Sequence, residues 1–228
     1  MKRLVLFDID GTLLSASGIS ARCLGEALKE VFGETGPMNG YDYSGKTDPQ
    51  IVRELMREAG RDEAEIQRGR PEVLERYARR LEAALRPEHV RAKPGIAELI
   101  AALEADTRVS LGLLTGNLEP CAQLKIAPLG LARVFRFGAF GSDHEDRYEL
   151  PAVALARALL TTGRAFAGPE VVIVGDSIHD VLCGRSLGAR AVAVATGRTS
   201  LATLLARGPA AALQDFSDTH RALEAILA

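Results

Sequence analysis

The chain has 228 residues, 47% of them hydrophobic and 25% charged, with a formal net charge of -2. That much apolar material suits one large domain, or one domain carrying a sizeable insertion, and excludes a disordered chain. The near balance of 28 basic and 30 acidic residues leaves no basic footprint for nucleic acid, and no apolar run is long enough to span a bilayer.

The opening Met1-Lys2-Arg3 feeds a β-rich apolar run over residues 3 to 8 that meets charged Asp8 too early for a signal peptide, so the expected location is the cytoplasm. Cys23, Cys121 and Cys183 are odd in number, widely spaced and without a C-x-x-C pair, which predicts reduced, buried thiols. Leu4-Val5-Leu6-Phe7 leads directly into Asp8-Ile9-Asp10-Gly11-Thr12. Residues i and i+2 of a strand point the same way, so Asp8 and Asp10 address one site where the chain turns at Gly11. Two like charges this close call for a cation, a shared proton or both.

No good strand follows until residue 109, a longer interval than a single crossover needs. The spacing predicts a helix over 19 to 33 that stops at Gly33, and a second over 49 to 59 that begins at Asp48-Pro49 and ends before Gly60. A third is expected from Pro71 through Arg86. The interval therefore reads as a helical insertion over 16–91, with hinges at Ser15-Ala16-Ser17-Gly18 and Arg91-Ala92-Lys93-Pro94-Gly95, and with 1–15 and 92–228 forming the remainder. Further strands are predicted at 109 to 114, 171 to 174 and 190 to 194, with weaker ones near 135 to 140 and 210 to 214. Short apolar strands alternating with helices indicate an α/β fold, a doubly wound parallel sheet covered on both faces. Ligands in such sheets sit beyond the carboxyl ends of the strands.

Two further polar clusters stand at predicted strand ends. Gly175-Asp176-Ser177-Ile178-His179-Asp180 follows Val171 to Val174, and places Asp176 and Asp180 where both can face one site. Hard cations such as Mg²⁺ use one or two carboxylates plus phosphate and water, while Asp180 is equally suited to a helix first turn. His179 is expected to be packed or solvated rather than a ligand. In Leu113-Leu114-Thr115-Gly116-Asn117, the Thr115 hydroxyl and the exposed N–H groups after it suit an anion, and Asn117 also fits the N-cap of a helix starting at Leu118.

The ordered set D-x-D-G-T, strand-Thr, a basic residue and G-D-x-x-x-D resembles the phosphatase branch of the haloacid dehalogenase superfamily, most closely its phosphoglycolate-phosphatase-type hydrolases. The resemblance implies a Rossmannoid α/β core with an inserted all-helical cap domain. It implies Asp8 as nucleophile, forming an aspartyl-phosphate, and Asp10 as general acid and then base. It further implies Mg²⁺ held by Asp8, the Asp10 carbonyl and Asp176, with Asp180 close by or acting through water, and phosphate held around Gly11, Thr12, Thr115, Gly116 and Asn117.

One motif departs from that family's pattern, a lysine followed by proline before the helix after the third core strand. Here the segment reads Asp146-Arg147-Tyr148-Glu149-Leu150-Pro151. Arg147 is the candidate for the role because its planar fork suits phosphate oxygens; the alternatives are an ion pair with an acidic neighbour, and Lys125 as the cation. In the cap loop Tyr41 to Pro49, Lys46 is the candidate for the far end of the substrate, or else a solvated lysine beside Asp48.

The expected activity is hydrolysis of a small phosphorylated metabolite by a monomer or homodimer, with no nucleic-acid or membrane partner. A phosphonoacetaldehyde-hydrolase-like reaction through a Schiff base at Lys46, a sugar-phosphate mutase, and a non-enzymatic phosphate receiver or metabolite-binding module are the other readings. A dehalogenase is disfavoured because a departing halide gives Asp10 no proton to supply.

Overall fold

The computed structural model describes residues 2–16 and 18–228; Met1 and Ser17, the latter in the first predicted hinge, lie outside the described residues. Eight strands are present: β1 (Arg3–Phe7), β2 (Leu14–Ser15), β3 (Arg91–Ala92), β4 (Val109–Leu114), β5 (Gly138–Ala139), β6 (Val171–Gly175), β7 (Arg190–Val194) and β8 (Ala211–Leu213). Six of them make one sheet in the order β5-β4-β1-β6-β7-β8, with every pairing parallel. All the strands predicted from the sequence lie in this sheet.

The order of winding places the site. From β1 the chain runs outward to β4 and β5, then returns across β1 to β6, β7 and β8. The reversal leaves a crevice at the carboxyl end of β1, where parallel sheets bind ligands. Phe7 is in register with Leu113 of β4 and with Val174 of β6. Asp8 therefore leaves the sheet level with the strand ends that carry Thr115 and Asp176.

Three helices fill the predicted insertion: α1 (Ile19–Phe32), α2 (Asp48–Glu58) and α3 (Glu63–Ala84). Helices α1 and α3 pack together, with Leu24, Ala27 and Leu28 of one and Val73, Tyr77 and Leu81 of the other all buried in one core. Each of the buried leucines, and Val73, contributes about 1.5–3 kcal/mol on burial. Helix α2 begins one residue after Thr47, whose side chain accepts the Gln50 N–H at 3.2 Å, so Thr47 is the N-cap and Asp48 is released from that duty.

One expectation is corrected. Helix α3 starts at Glu63, well before Pro71, because Asp62 and Glu65 form a reciprocal capping box that nucleates it upstream, and the helix runs on through Pro71. At the predicted hinges, Leu14 pairs with Ala92 and Ser15 with Arg91 as a short antiparallel ribbon, β2 with β3.

The remaining helices are α4 (Ile96–Ala105), α5 (Glu119–Ile126), α6 (Leu150–Thr162), α7 (Ile178–Leu182), α8 (Leu201–Leu205) and α9 (Thr219–Leu227). Alternation along the strands divides the core. Val5, Phe7, Val172 and Val174 face α4, α5 and α9, whereas Leu4, Leu6, Val171 and Ile173 join Leu150, Ala154 and Ala158 of α6 on the other face. The first of these clusters is continuous with the core of the helical insertion, so the insertion shares its apolar packing with the sheet. The three cysteines are free and buried.

Pro71 is exposed and interrupts the hydrogen-bond ladder of an otherwise regular helix. Pro71→Ala is expected to stabilise the chain by about 1–2 kcal/mol, measured by urea unfolding. A loss of stability would show that the ring is needed at the contact between α3 and its neighbours.

Candidate active site

Three carboxylates converge at the crevice. Asp8 follows β1, Asp176 follows β6, and Asp180 sits on the first turn of α7; all three are buried, and one oxygen from each lies within 4.8 Å of the others. Arg147, itself 2% exposed, reaches them from the short 3₁₀ turn before α6. Its Nη2 donates to Asp8 Oδ1 at 3.1 Å, to the Leu114 carbonyl at 3.2 Å and to Asp180 Oδ1. The pairing of Arg147 with an acidic sequence neighbour, one of the sequence alternatives, is therefore replaced by pairing with Asp8 and Asp180. Burial works against charge on Arg147, but Asp180 and Asp8 outweigh it and raise its pKa above the ordinary arginine value.

One guanidinium does not balance three carboxylates. Burial pushes the Asp8 carboxyl up, Arg147 opposes this, and Asp180 and Asp10 push it further up. Asp176 is raised well above the carboxylate range by burial and by Asp8 and Asp180, relieved only in part by Thr12 and Arg147. Asp180 is already satisfied on both oxygens, Oδ1 by Arg147 and Oδ2 by the Ser177 N–H at 2.9 Å and the Ser177 hydroxyl at 2.6 Å. Among the described residues, Asp176 has one side-chain hydrogen-bond partner, the Thr12 hydroxyl at 3.0 Å on Oδ1. The cluster thus fits a hard divalent cation, with Asp8 and Asp176 as the available carboxylates and Asp180 as the group that holds Arg147.

The glycines beside Asp176 make room for it. Gly11 turns at φ +90, and a Cβ there or on Gly197 would collide with the Asp176 carboxyl. The Thr12 hydroxyl donates to Asp176, and the lining of the cavity over the carboxylates includes neither Gly11 nor Thr12.

Asp10 occupies a different environment. It is half-exposed, and its Oδ2 accepts from Asn117 Nδ2 at 2.8 Å and from Lys125 Nζ at 2.7 Å. Asn117 also donates to Thr115 Oγ1 at 2.8 Å, and accepts from Lys125 at 2.6 Å. Asn117 is therefore not a helix cap, as its sequence position allowed; α5 has Leu118 at its N-cap. Lys125 does not take the place of Arg147 beside Asp8. Burial disfavours the charge on Lys125, while Asp10 and Asp48 more than compensate and raise its pKa.

The helical insertion closes over this strand end. Asp48 N–H donates to the Gly116 carbonyl at 2.8 Å, and Asp48 Oδ2 accepts the Leu118 N–H at 2.8 Å. Thr47 Oγ1 donates to the Glu145 carbonyl at 2.6 Å. Backbones approach so closely that a Cβ on Gly116 would strike the Lys46 carbonyl. Lys46 does not stand beside Asp48 as the sequence alternative had it. Its Nζ pairs with Glu54 at 2.6 Å, touches the Tyr41 hydroxyl at 3.1 Å and lies 4.2 Å from the Tyr41 ring centre.

Between insertion and sheet lies a cavity of about 340 Å³, lined by Asp8, Asp10, Thr115, Asn117 and Arg147 below and by Tyr43, Lys46 and Asp48 above. Asp48 was missed as a site residue because its sequence context, Thr47-Asp48-Pro49, reads as a helix start; the signal was the Thr47 beside it, which makes a second capping residue redundant. The Nδ1 of His179 lies 3.3 Å from the Tyr148 hydroxyl. Among the described residues, no helix is long and apolar enough to cross a membrane.

A sequence model of the haloacid dehalogenase-like hydrolases matches residues 5–194. The phosphoglycolate phosphatase of Synechococcus elongatus is 26% identical over 230 residues, covering 98% of each chain. That of Agrobacterium fabrum is 28% identical, covering 96% of this chain and 91% of its own. The crystal structure of a hydrolase from Pseudomonas syringae shares the fold with a TM-score of 0.73 at 22% identity, covering 99% of both chains.

Burial lifts the Asp48 carboxyl to about 6, against the pull of Lys125 and the Leu118 N–H. The unfolded chain ionises Asp48 at lower pH than the folded one, so its contribution to stability is full at acid pH and is lost as pH rises through about 6. Asp48→Asn keeps an oxygen for the Leu118 N–H and removes the buried charge. It is expected to exceed the parent in stability by about 1–2 kcal/mol near pH 8, with the difference closing below about pH 4, measured by denaturant titration at each pH. A constant difference across that range would detach the effect from Asp48 ionisation.

Proposed function

The chain belongs to the haloacid dehalogenase-like hydrolases, and from that premise we propose that it is a Mg²⁺-dependent phosphatase of a small phosphorylated metabolite, of the phosphoglycolate phosphatase type. The reading is carried by one observation: a buried carboxylate held by a guanidinium, Asp8 on Arg147, shares its cavity with a second, half-exposed carboxylate, Asp10. A nucleophile and a separate proton carrier are what a two-step phosphoryl transfer requires. The curated relatives named phosphoglycolate phosphatase support the substrate class.

In the first step an Asp8 oxygen bonds to phosphorus as the ester P–O bond breaks, and Asp10 gives its proton to the departing alkoxide. In the second, water attacks the aspartyl-phosphate, Asp10 takes the water proton, and Asp8 is freed with inorganic phosphate. Thr115 Oγ1 accepts from Asn117 through its lone pairs, which leaves its hydroxyl hydrogen for a phosphate oxygen. The Gly116 and Asn117 segment lies at the same strand end. Arg147 steadies Asp8 and presents positive charge to the incoming dianion. A Mg²⁺ ion held by Asp8 and Asp176 supplies, when bound, the remaining charge that phosphoryl transfer draws on.

Residues 16–91 serve as a cap over a catalytic core of 1–15 and 92–228. The cap places Tyr43, Lys46 and Asp48 over the cavity, where they select the leaving group and exclude water. The ion pair with Glu54 and the contact with Tyr41 weigh against Lys46 as a Schiff-base lysine, and so against the phosphonate-cleaving alternative. The buried free thiols support a reducing, cytoplasmic setting.

With Mg²⁺, the purified protein is expected to release phosphate from small phosphorylated acids, phosphoglycolate foremost, in a colorimetric assay. Asp8→Asn lowers the rate by at least about 10³-fold, and Arg147→Ala by about 10²-fold. No release from any member of a broad ester panel would falsify the reading.

Metal dependence has its own readout. Mg²⁺ is expected to raise the thermal midpoint of the protein, and Asp176→Asn to abolish that rise while leaving the chain folded. An unchanged Mg²⁺ shift in the variant would remove Asp176 from the metal site.

A further inference from the structure

Lys125 has no place in the chemistry described so far. Arg147 already supplies the cation beside Asp8, yet Lys125 is carried by α5 to a position where it is 2% exposed. A buried ammonium is seldom kept for stability alone, since an apolar side chain of the same volume generally serves as well. Its contacts are directional. Nζ donates to Asp10 Oδ2 at 2.7 Å and to Asn117 Oδ1 at 2.6 Å, and Asn117 Nδ2 donates to the same Asp10 Oδ2 at 2.8 Å. Two donors therefore converge on one oxygen of Asp10. Among the described residues, no side chain or backbone group donates to Oδ1.

Resting on the phosphatase reading, we propose that Lys125 is the positioning residue for the proton carrier. With Asn117 it pins Asp10 Oδ2, and so leaves Oδ1 as the oxygen that faces the cavity and exchanges the proton. In the bond-breaking step the proton passes from Asp10 Oδ1 to the ester oxygen as that oxygen takes the electron pair of its bond to phosphorus. Asp8 closes the new bond from the other side. A carboxyl that has lost its pin spends most of its time turned away from the leaving group.

The consequence depends on the leaving group. An alkoxide must be protonated as it departs, whereas p-nitrophenolate leaves as a stable anion and gains little from an acid. Single-turnover release of the leaving group from an alkyl phosphate and from p-nitrophenyl phosphate separates the two cases. Lys125→Met keeps the length and the burial of the side chain and removes the charge. It is expected to slow alkyl ester cleavage about 10- to 100-fold and p-nitrophenyl ester cleavage by no more than about 3-fold, with KM for each shifted less than about 3-fold. Lys125→Gln, which keeps a donor, is expected to show the same bias at smaller size, and decides the matter if the Met variant does not fold. Equal losses on both esters, or no loss on either, overturn the proposal. A parent protein that cleaves neither ester overturns the phosphatase reading instead.

Discussion

The arrangement at the carboxyl end of β1 rests on an electrostatic imbalance. Asp8, Asp176 and Asp180 are buried within 4.8 Å of one another, and the guanidinium of Arg147 touches two of them. Desolvation and mutual repulsion push Asp8 and Asp176 toward the protonated form. Such a cluster costs stability in the isolated protein, and much of the surrounding structure serves to hold it. Gly11 and Gly197 leave space for the Asp176 carboxyl, Thr12 bonds it, and Ser177 fixes the far oxygen of Asp180 so that the near one meets Arg147. The imbalance leaves uncompensated negative charge that added positive charge would relieve.

The helical insertion is tied to the same strand ends rather than hung beside them. Because Thr47 caps α2, the Asp48 carboxylate is free to take the first N–H of α5, while its own N–H bonds the Gly116 carbonyl. Asp48 thus spans the segment that carries Thr115 and Asn117 with two hydrogen bonds in opposite senses. The antiparallel ribbon of β2 with β3 joins the two chain crossings, so movement of the insertion is constrained at its base as well as at its tip. Placement of the cavity roof and placement of the strand end that carries Thr115 and Asn117 are in this way one problem, solved by Thr47 and Asp48.

The strand pattern was legible because the buried parallel strands are short apolar runs, and three of those runs, β1, β4 and β6, end in polar clusters at Asp8, Thr115 and Asp176. The carboxylates of the candidate site were legible for the same reason. Helix starts were less so: Pro71 reads as a first-turn residue, and only the Asp62 and Glu65 pair outweighs it. Long-range pairings carry no local signature. Nothing in the sequence near Lys125 points to Asp10, and nothing near Lys46 points away from Asp48 and toward Glu54. The two-residue strands β2 and β3 are too short for any periodicity, and they exist because the insertion must leave and re-enter the sheet layer at one place.

The two carboxylates of the first motif share a sequence context and differ in what surrounds them. Asp8 points into the buried cluster, where burial favours its protonated form and Arg147 opposes it. Asp10, two residues on, emerges half-exposed and is gripped through one oxygen by neutral Asn117 and cationic Lys125. A strand that continued regularly would have given both the same surroundings. The turn at Gly11 prevents this: the Ile9 carbonyl gathers the N–H groups of Thr12, Leu13 and Leu14, and the Gly11 N–H bonds the Leu14 carbonyl. That tight knot turns the chain just after β1 and sends the two acids into different environments, the difference in surroundings that the proposed roles of nucleophile and proton carrier call for.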